Sequence, residues 1–290
     1  MRPGCCAGSL CALLLAVTPV CGAVQDDAWL VRYDLGADAA REISLPPALR
    51  EISGLATDGA GRLIAHADER GVLHVIDPRL GAIVNTFEIG PRELRGDFEG
   101  VAVAGERVFL ATSGGSLIET RIPAPGTTAP LVRTVATGLD RICEVEGLAW
   151  DPAASALLLP CKTPGAGQPD DRLRVFAVPL ATLALDPTPF LDVALDALRA
   201  AGLPRAFHPS AIELHPRSGT YFLLAAQEEA IVEIARDGRV LAGRRLDRRA
   251  LPQPEGIAFG PDLELWIASE GEEGTLLRYQ VGPTQAGAAR

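Results

Sequence analysis

The chain has 290 residues, with 37 acidic against 27 basic side chains and a formal net charge of −10. That acidity, with its arginines scattered, argues against nucleic acid as a partner; it is compatible with cation binding, although acidity alone chiefly serves solubility. The length suffices for one large core and fits a single all-β domain as well as two smaller ones.

The first residues read as an export leader. Arg2 gives a positive start, 10–17 is an apolar run, Pro19 breaks it, and Cys21-Gly22-Ala23 offers small residues for cleavage after Ala23. The run is too short to span a bilayer. A lipoprotein signal is excluded because Val20, not a small residue, precedes Cys21. The expected organisation is a signal peptide over 1–23 and one domain over 24–290, placed in the periplasm or secreted. Removing Arg2 with the leader moves the formal charge to −11. No later stretch is apolar enough to cross a membrane. Cleavage also removes Cys5, Cys6, Cys11 and Cys21, leaving Cys143 and Cys161, which in an exported chain suggests one disulfide.

WLVRYDL at 29–35 reads as a strand. After it a short pattern recurs: EISGLA at 51–56, DFEGVA at 97–102, EVEGLA at 144–149, HPSAIE at 208–213 and QPEGIA at 253–258. The glycine-equivalent positions are Gly54, Gly100, Gly147, Ala211 and Gly256, spaced by 46, 47, 64 and 45 residues. Periods in the forties are the mark of four-stranded propeller blades. Behind each motif come a turn rich in Gly, Pro, Asp and Ser and a second strand: RLIAHA (62–67), RVFLAT (107–112), ALLLPC (156–161), YFLLAA (221–226) and ELWIAS (264–269). Third strands follow as VLHVID (72–77), RLRVFAV (172–178) and AIVEIA (230–235).

The spacing of 64 needs an added element, and LDVALDALRAAGLP at 191–204 carries apolar residues at helical spacing, ended by Gly202 and Pro204. The expected fold is therefore an all-β propeller of about five four-stranded blades with one short inserted helix. The 29–35 strand is expected to join the blade that holds TLLRYQV (275–281), closing the ring. Six blades is the alternative, if 24–50 supplies more than one strand.

The motif series resembles that of the SdiA-regulated (YjiK-like) β-propellers, a family of exported or membrane-anchored bacterial proteins. The residues before the glycine positions run Ser53, Glu99, Glu146, Ser210, Glu255, and PQPEGIAF at 252–259 is similar to the family's last motif. The resemblance covers 45–281 and implies a propeller in the cell envelope, with no established reaction. The family's acidic residues at the ends of second strands are matched by Asp68-Glu69, Glu228-Glu229 and Glu270; Ser113-Gly114-Gly115 and Thr163 depart from that pattern.

In a blade the first strand lies nearest the axis and the second runs back beside it. Ser53, Glu99, Glu146, Ser210 and Glu255 should therefore share one face of the disc, ringed by Asp68, Ser113, Lys162, Gln227, Glu228 and Glu270. The same hairpin geometry brings Cys143 and Cys161 together. Converging carboxylates repel unless a cation, a lysine such as Lys162, or backbone N–H groups compensate them. Two readings stand. Glu99, Glu146 and Glu255 hold a divalent cation, Ca2+ by preference or Mg2+, or each glutamate ties its blade to a neighbour.

No histidine pair has zinc-site spacing. His208 stands at the rim and could contact a ligand, whereas His215 falls in a turn and should be solvated. No G-x-S-x-G occurs, and Ser113-Gly114-Gly115-Ser116 reads as a loop tip. Three functions compete. One is an envelope propeller that binds a cation, a small ligand or an envelope protein at its axial face. Another is a metal-dependent lactonase or phosphoesterase with His208 or Asp68 as base. The last is a protein-interaction platform. A monomer is expected.

Overall fold

The structure, a computed structural model, describes residues 1, 28–36, 40–124 and 126–282. The leader expected over 1–23 lies outside these, apart from Met1. Strand β1 (Arg41–Ser44) precedes the first blade. Blade 1 is β2 (Ile52–Thr57), β3 (Leu63–Ala67), β4 (Val72–Asp77) and β5 (Ala82–Glu88). Blade 2 is β6 (Phe98–Ala104), β7 (Arg107–Thr112), β8 (Ser116–Thr120) and β9 (Arg133–Ala136). Blade 3 holds β10 (Cys143–Val145) and β11 (Ala149–Asp151), both paired with β12 (Ala156–Pro164), then β13 (Arg172–Pro179) and β14 (Leu191–Ala194). Blade 4 is β15 (Ala211–Leu214), β16 (Tyr221–Ala225), β17 (Ala230–Ile234) and β18 (Val240–Arg245). Blade 5 is β19 (Gln253–Phe259), β20 (Leu265–Glu270) and β21 (Thr275–Tyr279), with β1 as its outer strand. The five antiparallel sheets make the expected five-bladed propeller.

Alternation along each strand explains the stacking of blades. In β3, Leu63 and Ala65 face a cluster shared with Trp266 and Leu276 of blade 5, while Ile64 faces Val101, Val108 and Leu110 of blade 2. Successive side chains point to opposite faces of a sheet, and both faces are covered, so the second strands read as nearly unbroken apolar runs. Five such clusters fill the five gaps between neighbouring blades. Each fully buried Leu or Ile contributes roughly 1.5–3 kcal/mol.

The motif glycines sit where adjacent inner strands meet. A Cβ on Gly100 would stand 2.5 Å from the Leu148 backbone nitrogen, one on Gly147 3.0 Å from Ala211 Cα, and one on Gly256 2.8 Å from Leu55 Cβ. The glycine repeat is thus a close-approach requirement at the axis. Gly147 also has φ +106°, and it divides β10 from β11.

Three local expectations need correction. The closing strand is Arg41–Ser44, paired antiparallel with β21 from Arg41↔Arg278 to Ser44↔Thr275. Residues 30–32 instead form a 3-10 turn, and an isolated bridge, Tyr33↔Val281, joins this segment to the end of blade 5. The helix is shorter than its spacing suggested: Leu191–Ala194 is the outer strand of blade 3, and the only α-helix among the described residues, α1, spans Leu195–Ala200. His215 is fully buried rather than solvated. It stacks on Phe222 with ring centroids 5.5 Å apart, lies 4.5 Å from the Trp29 ring, and has Tyr33 Oη 3.2 Å from Nε2.

Cys143 and Cys161 form the disulfide, with Cα atoms 5.6 Å apart. Among the described residues no helix is long and apolar enough to cross a membrane.

Candidate functional site

The start of each inner strand opens onto one face of the disc. There Glu146, Lys162, His208, Ser210, Gln227 and Glu255 line a cavity of ≈ 280 Å³. These are six of the residues anticipated from the repeat. Glu99 and Ser53 lie on the other side of the axis, where Ser53 Oγ donates to Glu99 Oε2 at 3.1 Å. At the axis a small cavity of ≈ 10 Å³ is lined by Gly54, Gly100, Gly147, Ala211, Glu99 and Glu255, space for about one water molecule.

The two motif serines bond across blade boundaries. Ser53 ties blade 1 to blade 2 through Glu99, and Ser210 Oγ donates to Pro254 O at 2.7 Å, tying blade 4 to blade 5. The glutamates divide. Glu146 is nearly buried, and its Oε2 pairs with Lys162 Nζ at 2.6 Å within its own blade. Burial raises the Glu146 carboxyl despite that lysine. Burial also works against the charge on Lys162, but Glu146, with Glu144 and Glu99 beyond it, outweighs this and holds the ammonium above its ordinary value.

Glu99 and Glu255 differ from Glu146, which has Lys162 against it. Burial pushes Glu99 up to about 8, with the negative charges of Glu146 and Asp97 adding to it and the Ser53 hydrogen bond opposing it. Glu255 is pushed up to about 8 by burial, then by Glu146 and Glu270, against a hydrogen bond from Gln253 Nε2 at 3.4 Å. Three carboxyls therefore sense one another across the opening, and Lys162, paired with Glu146, also draws Glu99 down from farther off. Among the described residues no three His, Cys, Asp or Glu side chains gather closely enough to hold a metal ion directly.

The outer ring is only partly convergent. Glu228 clamps His208, taking the backbone N–H at 2.9 Å on Oε2 and holding Nδ1 2.7 Å from Oε1. Asp68 lies outside the cavity, in a neighbouring groove with Glu51, Glu69 and His74. Glu270 also stands apart from the cavity, accepts from Gln253 Nε2 at 2.9 Å, and is raised first by burial and then by Asp68 and Glu51. Ser113 does not line the cavity; its backbone N–H and C=O bond Asp97 O and Val145 N.

Glu229, Arg248 and Gln253 also line the cavity and were not anticipated there. Glu229 takes the left-handed conformation (φ +50°) and lies 3.1 Å from Arg245 and 3.4 Å from Arg248. Arg248 comes from the connection between blades 4 and 5, which the repeat does not register. The acidic pair Glu228-Glu229 was the one available signal.

No protein-family model matches the chain, and no curated protein matches it. Solved structures do. Glutaminyl cyclase of Myxococcus xanthus aligns with a TM-score of 0.55 at 17% identity, over 83% of this chain and 95% of that one. The PQQ-bound aldose sugar dehydrogenase of Streptomyces coelicolor aligns with a TM-score of 0.47 at 15% identity, over 83% of this chain and 98% of that one. The first likeness is one of fold alone.

Proposed function

We propose that this protein is an exported cell-envelope propeller of the SdiA-regulated (YjiK-like) kind that binds a divalent cation, calcium foremost, or a small ligand at its axial face. The motif order from Ser53 to Glu255 supports the family, and the disulfide suits an exported chain. The observation that carries the binding reading is the pair Glu99 and Glu255. Both are held up near 8 by burial and by the shared neighbour Glu146, with one lysine for three carboxyls. A cation arriving at the opening would relieve that repulsion and release the protons. With no ready-made cluster of three ligands, the ion would retain part of its water shell, as hard cations readily do.

The test is a thermal melt with chelator, then with calcium or magnesium, alongside proton release on adding calcium chloride near neutral pH. A ligand at a hundredfold over its dissociation constant stabilises by about 2.7 kcal/mol, a shift of several degrees in a domain of this size. Stabilisation with proton release, both lost on Glu255→Gln, supports the reading; no shift with either ion removes it.

A second reading rests on the His208–Glu228 contact. A carboxylate that fixes Nδ1 leaves Nε2 as a base, the arrangement used to activate water. In this reading His208 takes a proton from water attacking a lactone or phosphoester and returns it to the leaving oxygen. Turnover of such esters that is abolished by His208→Gln and insensitive to Glu255→Gln would favour it over simple binding.

A further inference from the structure

The opposite face of the disc holds a cavity of its own. Four residues after Ser53, Glu99, Glu146, Ser210 and Glu255, the inner strands reach the opposite face at Thr57, Val103, Trp150, Leu214 and Phe259, and these residues surround a cavity of ≈ 280 Å³. The glycine ring of the inner strands lies between it and the acidic opening. Its wall is largely apolar and aromatic, with Trp150, Phe259, Val103 and the small residues Ala56 and Ala102.

One residue breaks the pattern. The last position of the motif is Ala56, Ala102, Ala149 and Ala258 in four repeats, all nearly or fully buried. In the fourth repeat it is Glu213, which lines this cavity. Its one described hydrogen bond runs from the Leu214 N–H to Oε1 at 2.8 Å. Among the described residues no charged side chain other than Glu213 lines the cavity, and burial pushes the carboxyl up to about 8. The fold does not need an acid here, since four blades pack the same position with alanine. An uncompensated carboxyl in an apolar wall is costly, and a ligand that supplies the missing charge would remove the cost.

We propose that this second cavity binds a small organic cation, an ammonium group carried on an apolar body, with Glu213 as its counter-ion. The carboxylate supplies the charge partner, while the aromatic wall covers the apolar body and favours a cation beside it.

The experiment is calorimetric titration of the whole protein with benzyltrimethylammonium, whose charge does not vary with pH, against benzyl alcohol as the neutral comparison. Saturable binding at one site per chain is expected, with the alcohol at least about tenfold weaker, and a similar loss in Glu213→Gln. Glu213→Ala gives this position the residue of the other four repeats, so it keeps the test valid if the glutamine variant does not fold. Glu42→Gln, on the exposed face of the outer strand β1, should leave the affinity unchanged. Absence of saturable binding, binding that survives both Glu213 substitutions, or binding abolished by Glu42→Gln would each overturn the proposal.

Discussion

Lys162 Nζ lies 2.6 Å from Glu146 Oε2, a hairpin-spanning ion pair whose acid is nearly buried and whose lysine is about a quarter exposed. Removing one partner of such a pair leaves the other charge uncompensated, which costs more than the pair itself contributes. Lys162→Met is therefore expected to destabilise by about 1–3 kcal/mol, below the range for wholly buried pairs because the lysine still meets solvent. Adding Glu146→Gln to it should recover part of the loss. A urea-unfolding double-mutant cycle measures the coupling; equal effects of Lys162→Met with and without Glu146 would show that the pair is not coupled.

Glu99 and Glu255 set a pH dependence. Their folded-state values of about 8 lie above the ordinary carboxylate value of 4.5, so between those limits the folded protein binds more protons than the unfolded chain. Stability must then fall as pH rises through that window. The melting temperature is expected to be lower by a few degrees at roughly pH 9 than at roughly pH 6. Glu99→Gln and Glu255→Gln should each flatten the slope. A melting temperature that climbs over this range would contradict the assignment of both groups.

The axial glycines give a steric prediction. Gly100→Ala places a methyl group 2.5 Å from a backbone nitrogen of the next blade, which cannot move without shifting blade 3. A loss of about 2–3 kcal/mol is expected, at the upper end for overpacking. Gly59→Ala meets nothing within 4 Å and should change stability by less than about 0.5 kcal/mol. Chemical denaturation of the two variants distinguishes packing at the axis from a general sensitivity of glycine sites.

The disulfide closes a loop with a sequence separation of 18, for which loop-closure entropy corresponds to about 3 kcal/mol. Reduction, or the paired substitution of Cys143 and Cys161 by serine, should lower the melting temperature by roughly 5–10 °C. Cys143 and Cys161 both border the cluster between blades 2 and 3, so the cooperative unfolding of the whole ring should shift. A separate early transition would indicate local opening of blade 3 instead.

The blades were legible because the same constraint acts five times. Each glycine position records a backbone contact at the axis, and each second strand shows an apolar run because both its faces meet a neighbouring blade. Non-repeating parts were less legible. Arg41–Ser44 carries a short, mostly exposed strand with one buried residue, Ile43, too little pattern to mark it as the closing strand. Residues 29–35 have strand-like composition, but the N–H of Leu30 is held by Glu233 at 2.7 Å, a contact across 203 residues that no local pattern encodes. The mouth of the site followed from the repeat, whereas Arg248 and the exclusion of Asp68 from the cavity depend on loop paths. Glu213 was visible in the sequence as the one motif ending without alanine, but its meaning needed the second cavity.

The pairing of β1 with β21 joins residues 41–44 to residues 275–278 in one sheet. Synthesis delivers the first of these strands more than two hundred residues before its partner exists. Until then β1 has no sheet to join and the last blade cannot be completed, so the ring is a clasp whose two halves are made at opposite times. Any cleavage that frees either half would unlatch the circle and expose a bare strand edge on blade 5, the kind of edge that recruits other chains. A cut at either strand would thereby turn a closed ring into one with an open edge.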